Sequence, residues 1–332
     1  MTLQPGTDTF SRWRWLLLWL ALLLCGHLPE ALAAPLLSAD PAPIAHLVKE
    51  SAASPTLPAD TSLPGEGLTP DESRLRSWGI VTASTLVVGV YGNIKWWNDG
   101  YSDGFRTVDE GWFGQDTRSG GADKLGHMFT NYVGTRLLVD AFEWAGNDPE
   151  SAQIWSLCTT LGILTGVEVV DGFSKKWRFS YNDAIMNMLG IGTALLFEKN
   201  PALDRIMDFR LLYKPSREEG FDPFGDYSGQ TYLLVAKASG ISRLREIPLL
   251  RYLELAAGYG TRGFGKGAGG AADDRSRNVY WGVGLNLSEL LDQAVYRGTW
   301  RQGRTQRFTD AVLEYVQIPG TVLLKGERLS RD

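Results

Sequence analysis

A chain of 332 residues, 44% apolar and 21% charged, suits one large folded domain or two modest ones and excludes wholesale disorder. A formal net charge of -5 excludes a nucleic-acid-binding surface spread over the whole molecule. Two cysteines exclude a disulfide scaffold and any multi-cysteine zinc or iron–sulfur site.

Arg12 and Arg14 precede an unbroken apolar run from Trp15 to Cys25, and Ala31-Leu32-Ala33 follows it. This order predicts a secretory signal peptide over residues 1–33, because about eleven apolar residues cannot cross ~30 Å of hydrocarbon. Cys25 has the place of a lipoprotein's lipidated cysteine, but Leu24 stands before it, where lipoprotein processing takes a small residue. Cleavage after Ala33 leaves Cys158 as the single cysteine, read as a small core hydrophobe. Residues 34–75 are rich in Pro, Ser and Ala and predict a linker, with His46 solvent-exposed inside it.

Four apolar helices are expected next, at residues 77–97, 123–144, 151–170 and 182–197, each close to bilayer thickness. Gly162 and Gly166 on the third, and Gly190 and Ala194 on the fourth, have the small-xxx-small spacing that lets backbones approach closely. Between the first two helices lies an aromatic loop carrying Trp96, Trp97, Tyr101, Phe105, Trp112 and Phe113. It reads either as a membrane-interface belt or as a packed loop over a bundle end.

Polar residues on these helices are few and placed to one side. Asp123, His127 and Asn131 recur at i, i+4, i+8 on the second helix, Glu168 and Asp171 end the third, and Asp183 and Asn187 start the fourth behind a capping Ser180. Antiparallel packing of successive helices brings these seven side chains to one end of a bundle. Four buried carboxylates need compensation, by Lys124, Lys175, Lys176 and Arg178, by a cation, or by protonation. Asp123 and Asp183 near helix N-termini and Asp171 at a helix end each also have a purely structural reading.

These residues stand in three ordered motifs: Asp123-Lys124-Leu125-Gly126-His127, Glu168-Val169-Val170-Asp171-Gly172, and Ser180-Tyr181-Asn182-Asp183 continuing to Asn187 and Gly190. The set resembles the YfiM-like family of predicted periplasmic proteins of unknown function and, more distantly, VanZ-like membrane proteins linked to glycopeptide resistance. The resemblance covers roughly residues 110–200, with Gly225 to Gln230 as an extension. It implies an envelope location and this choice of residues; neither family brings a settled reaction.

After the helices the period changes to two. Val279, Trp281, Val283 and Leu285 alternate with Tyr280, Gly282, Gly284 and Asn286, and strands are expected at residues 278–287, 253–259, 230–237 and 312–316. Four to six strands are too few for a closed outer-membrane barrel, so a small antiparallel sheet, packed on the bundle or lying against a membrane, is expected. Gly258 to Gly263 matches G-x-G-x-x-G, and Gly260 to Lys266 starts like a P-loop. Gly267 stands where magnesium binding needs Ser or Thr, and no helix start follows, so neither nucleotide nor nucleic acid is an expected partner.

The expected fold is α+β: a four-helix apolar bundle, membrane-associated or soluble, over residues 76–213, then an antiparallel β region over 214–332. His127 is the single histidine outside the leader and linker, which excludes a His-rich metal site. The favoured function is a non-catalytic envelope protein, periplasmic or membrane-associated with the outer membrane ahead of the inner, whose partner is membrane lipid or an envelope protein. The alternative is a membrane-associated hydrolase or transferase acting on a lipid-linked or cell-wall substrate. In it His127 is the acid or base with Glu168 and Asp183, and Asp123, Lys124, Asn131, Asp171, Lys175, Arg178 and Asn187 bind. No cofactor is certain; a divalent metal would draw on Asp123, His127, Glu168 and Asp171.

Overall fold

The computed structural model describes residues 67–216, 221–264, 275–296 and 304–330. The signal peptide, Cys25, His46 and most of the predicted linker lie outside the described residues, as does Gly267. The chain divides into two compact units: one comprises residues up to Asp109 and Gly134–Ala184, the other Glu110–Val133 and Ile185 onward.

In the first unit, α1 spans Pro70–Lys95, starting well before residue 77. Thr69 and Glu72 form a capping box and Pro70 takes the first helical position, so local chemistry starts the helix inside the predicted linker. The second helix, α2, spans Ala122–Trp144, and α3 spans Pro149–Phe173 behind the Asp148 N-cap. Val81 of α1, Val139 and Phe142 of the C-terminal half of α2, and Ala152 of α3 form this unit's core. Trp155 closes it, edge-on to Trp78 at 5.3 Å and stacked on Phe142 at 5.7 Å. Cys158 is buried, as its apolar setting predicts. The loop after α1 is largely packed: Phe105 lies 5.2 Å from Phe173, and the Trp177 indole donates to Trp96 O at 2.8 Å. A parallel two-residue ladder of β1 (Thr107–Val108) and β2 (Phe179–Ser180) ties that loop to the start of α4, Tyr181–Lys199.

The second unit contains the N-terminal half of α2, most of α4, the short helices α5 (Pro201–Ile206) and α6 (Ser242–Arg245), and α7 (Leu287–Ala294) and α8 (Arg304–Tyr315). Its sheet has six strands: β3 (Met207–Tyr213), β4 (Gln230–Lys237), β5 (Leu253–Arg262), β6 (Ser276–Leu285), β7 (Val316–Gln317) and β8 (Val322–Arg328), in the order β7-β3-β4-β5-β6-β8. All neighbours are antiparallel except β3 and β7. Tyr132 of α2, Ala194 and Phe197 of α4, Phe209 of β3, Tyr232 of β4 and Tyr315 of α8 form one core cluster.

The chain is thus α+β, but the expected four-helix bundle followed by a small antiparallel sheet is corrected to two units, one built around a six-stranded mixed sheet. Residues 312–315, expected as strand, end α8 instead. Its buried positions Gln306, Asp310 and Leu313 have helical spacing, and two of the three are polar, which hides the period from a hydrophobicity reading. Among the described residues, the first two G-x-G-x-x-G glycines belong to a strand rather than to a helix start. Gly258 and Gly260 lie inside β5, where an added Cβ would meet Tyr232 O at 2.4 Å and Gln230 O at 2.8 Å, so they serve close strand packing.

Candidate functional site

Five of the predicted residues fall in the second unit. α2 begins after Gly120 and Gly121, both at positive φ, a conformation other residues rarely adopt. Gly121 also has no space for a Cβ, which would lie 2.3 Å from the Phe113 ring. Ser119, just before the helix, donates its hydroxyl to the Asp123 carboxylate and accepts from the Asp123 amide. Lys124 is 1% exposed, and its ammonium lies 2.6 Å from Glu110 and 3.0 Å from Asp123. The buried Lys124 ammonium thus has two half-buried carboxylates as counter-charges, supplied by the chain itself.

One turn on, Asn131 and Asn187 are buried and His127 is half-buried. The Asn131 amide donates to His127 O at 2.8 Å and to Asn187 Oδ1 at 2.7 Å, and His127 Nδ1 lies 3.0 Å from the same Oδ1. These bonds define the imidazole tautomer. A backbone carbonyl accepts only, so Asn131 presents its NH2, Asn187 presents its oxygen, and His127 Nδ1 carries the hydrogen. Nε2 is then the nitrogen of the neutral ring that takes up a proton. Gly190 makes the approach possible: a Cβ there would sit 2.2 Å from Met128 O and 3.0 Å from Asn131 Cβ. The predicted close approach is realised at Gly190, whereas Gly166 faces open space.

The motif residues of α2 and α4 thus meet through hydrogen bonds. Residues 109–199 match the family model described as predicted periplasmic lipoprotein (DUF2279). The match supports an uncharacterised envelope family for that stretch and carries neither the YfiM-like nor the VanZ-like name. No curated protein and no solved structure gives a match.

The other candidates lie in the first unit. Glu168 is buried and accepts from the Ser180 amide at 3.4 Å, while Ser180 Oγ accepts from the Asp183 amide at 3.2 Å, the predicted cap. Asn182 is fully buried, and neither amide atom has a partner among the described residues. Asp171 belongs to a different contact: the Trp97 indole donates to it at 2.6 Å, tying the loop after α1 to the end of α3. Lys175, Lys176 and Arg178 are exposed, so they do not neutralise the buried carboxylates. Arg106 instead holds their loop through the carbonyls of Ser174 and Lys175. Within the second unit the hydrogen bonds join His127, Asn131 and Asn187, and within the first they link Glu168, Ser180 and Asp183, with Asp171 accepting from Trp97.

Several functional-looking residues escape a sequence reading. Glu110 and Ser119 lie in an irregular loop without a period. Tyr232 is buried and donates to Gln230 at 2.8 Å; burial pushes its hydroxyl well above the usual range, with Tyr227 and the Asp123 charge adding to the effect. Its hydroxyl would lie 3.0 Å from a Cβ at position 126, so Gly126 admits it against α2. A second buried network joins Asp208, Arg210, Lys237, Glu254 and Gln317, with Arg210 Nη1 2.8 Å from Glu254 and 3.0 Å from Gln317, and with Asp208 bonded to both Arg210 and Lys237. The two-residue spacing of Asp208 and Arg210 is the one signal for it, since it places both on one face of a strand.

Proposed function

We propose that this is an exported envelope protein that associates with a bilayer and binds lipid or an envelope partner, in keeping with the periplasmic description of the family that residues 109–199 match. The observation that carries the reading is the surface of α1, where Leu86, Val87, Val90 and Ile94 are exposed on a helix with no charged residue between Arg76 and Lys95. A stripe of this kind costs free energy in water and gains it in acyl chains. In the same unit, α3 is long and apolar enough to cross a membrane by length and composition. The outer membrane is the favoured bilayer because the alternating apolar strands of the C-terminal region suit it. The family's lipoprotein description concerns a stretch that begins far downstream of Cys25, and the signal peptide with cleavage after Ala33 is retained here. Osmotic shock and salt washing of cells test the reading: the chain is expected in the membrane fraction, and release with soluble periplasmic proteins overturns it.

A second reading has one observation in its favour. The Asn187 carbonyl fixes His127 with its hydrogen on Nδ1, leaving Nε2 as an acid–base atom one helical turn from Asp123. In this reading the chain is a hydrolase or transferase on a lipid-linked or cell-wall substrate, with Glu168 and Asp183 assisting and a divalent ion among the carboxylates. His127→Ala separates the two: an enzyme loses its cellular phenotype while remaining as stable as the parent, whereas a packing network loses stability first.

A further inference from the structure

One face of the second unit's sheet is covered only in part: Phe209 of β3 and Tyr232 of β4 pack in the core with α2 and α4, whereas its continuation on β5, β6 and β8 is apolar and exposed. Along β5, Leu253, Leu255 and Ala257 are exposed while Glu254 is 1% exposed. Register carries the pattern across the sheet. Leu255 pairs with Val283, which pairs with Leu323; Ala257 pairs with Trp281, which pairs with Lys325; Leu253 pairs with Leu285. Paired residues share a face, so one contiguous exposed face holds Leu255, Val283, Trp281, Leu285 and Leu323, the last 82% exposed. The opposite face holds the buried Asp208–Arg210–Glu254 network beside the apolar cluster of Leu233, Val235 and Ala256, and Gly282, where an added Cβ would meet Leu323 O at 1.9 Å. An ion network kept on the buried face while leucines, valine and tryptophan stand exposed on the other suits a sheet whose outer solvent there is hydrocarbon.

Two further features identify that solvent. The Lys325 ammonium lies 5.2 Å from the centre of the exposed Trp281 ring, an aromatic–cation pair suited to the headgroup level. The segment leading into β5, at the Leu253–Leu285 end of the sheet, carries exposed Ile241, Ile247 and Leu249, the last 79% exposed, interleaved with exposed Arg243 and Arg245. Neither arginine is paired with a carboxylate among the described residues. Protruding aliphatic side chains between unpaired arginines complement an anionic lipid surface: acyl chains take the first and headgroup phosphates the second.

We propose that the Leu255–Val283–Leu323 face of the sheet lies on an anionic phospholipid bilayer, with the 241–249 segment inserted at its edge. The proposal rests on the bilayer reading above and names the surface that makes the contact. The test uses the full mature chain in a Cys158→Ala background, with an environment-sensitive fluorophore on Leu255→Cys, Leu323→Cys or, as control, Lys214→Cys at the far end of β3. Vesicles of phosphatidylglycerol and phosphatidylcholine should sediment the protein, shift the labels at 255 and 323 to the blue, and allow brominated acyl chains to quench them, with the label at 214 unchanged. Arg243→Gln and Arg245→Gln should each weaken binding to these vesicles about fivefold and leave binding to pure phosphatidylcholine unchanged. Sedimentation with no response at 255 and 323 overturns the surface assignment while sparing the bilayer reading; failure to sediment overturns both. Labels at 255 and 323 that are buried without vesicles, in a concentration-dependent dimer, overturn it in favour of a second copy of the chain. Arginine variants that bind as tightly as the parent overturn the anionic requirement.

Discussion

Replacing Gly190 by alanine tests the central packing argument, because the same helix offers its own control. A Cβ at position 190 would lie 2.2 Å from Met128 O, about 1.2 Å inside ordinary contact, and that oxygen is a backbone atom of α2 that cannot swing aside. Relief requires α2 to retreat locally, which stretches the 2.7 Å Asn131–Asn187 and 3.0 Å His127–Asn187 bonds beyond hydrogen-bonding range. Two lost bonds at about 0.5–1.5 kcal/mol each, with ~1–3 kcal/mol of overpacking, less the ~1 kcal/mol that alanine gains over glycine in a helix, leave a net loss of about 1–5 kcal/mol. Gly192 lies two residues on, with nothing within 4 Å of its added Cβ, so Gly192→Ala receives the helix gain alone and should be up to ~1 kcal/mol more stable than the parent. Denaturant midpoints of the two variants measure the contrast. Gly190→Ala as stable as Gly192→Ala would refute the close approach of α2 and α4 and, with it, the His127–Asn187 geometry.

Three further outcomes are expected. Nitrogen NMR of the neutral His127 ring should show the hydrogen on Nδ1, and Asn187→Leu should remove that preference; a parent ring protonated at Nε2 contradicts the bond assignment. Arg210→Met leaves Glu254 buried without its cation, while Asp208 keeps Lys237, and should cost about 3–5 kcal/mol by denaturant unfolding. Replacing Glu254 by leucine in the same chain should recover most of that loss, with Asp208 still paired to Lys237, and the idea fails if the single variant is as stable as the parent. Burial pushes the Tyr259 hydroxyl up to about 12, against a lowering by the Arg277 charge and with a smaller raising by Asp123. The folded state holds this proton more tightly than the unfolded chain, whose tyrosine titrates near ~10, so the associated stability is complete below about pH 10 and lost as pH rises through about 12. Tyr259→Phe should flatten the alkaline limb of the stability profile, and unchanged limbs in the two proteins count against it.

Helices were legible because their period is long and their stops are chemical: α2, α3 and α4 fall within a few residues of the positions expected from apolar runs, Ser180 and Trp144. The His127–Asn131–Asn187 contact was legible as well, since i, i+4 spacing on one helix and a polar first turn on another restrict where the side chains face. What was not legible depends on long-range partners. β3 and β8 place charged residues within their seven positions, and α8 buries Gln306 and Asp310, whose 2.6 Å bond from Gln306 to Asp292 and whose place against the sheet arise only after folding. Glu110 reaches Lys124 from a loop with no period at all. The bond from the Trp97 indole to Asp171 was not legible either, since spacing along one helix says nothing of an indole arriving from a distant loop.

The sheet shows the deeper limit of a pattern reading. Alternation identifies Val279, Trp281, Val283 and Leu285 as one face of a strand, but a two-residue period is symmetric: it does not say which face is covered. The charges decide. Asp208, Arg210 and Glu254 cannot be desolvated singly, and they meet only on the face shared with Val235 and Ala256. Register places Leu255 and Val283 on the other side of the same backbone, the side whose β3 and β4 positions Phe209 and Tyr232 are covered by α2 and α4, and on β5 and β6 that cover runs out. Exposing this face to water forfeits about 25 cal/mol for every Å² of apolar surface left uncovered, while the buried ion network adds little net stability of its own. A chain that keeps both features is therefore suited to a surface where leucines outward are no longer a penalty.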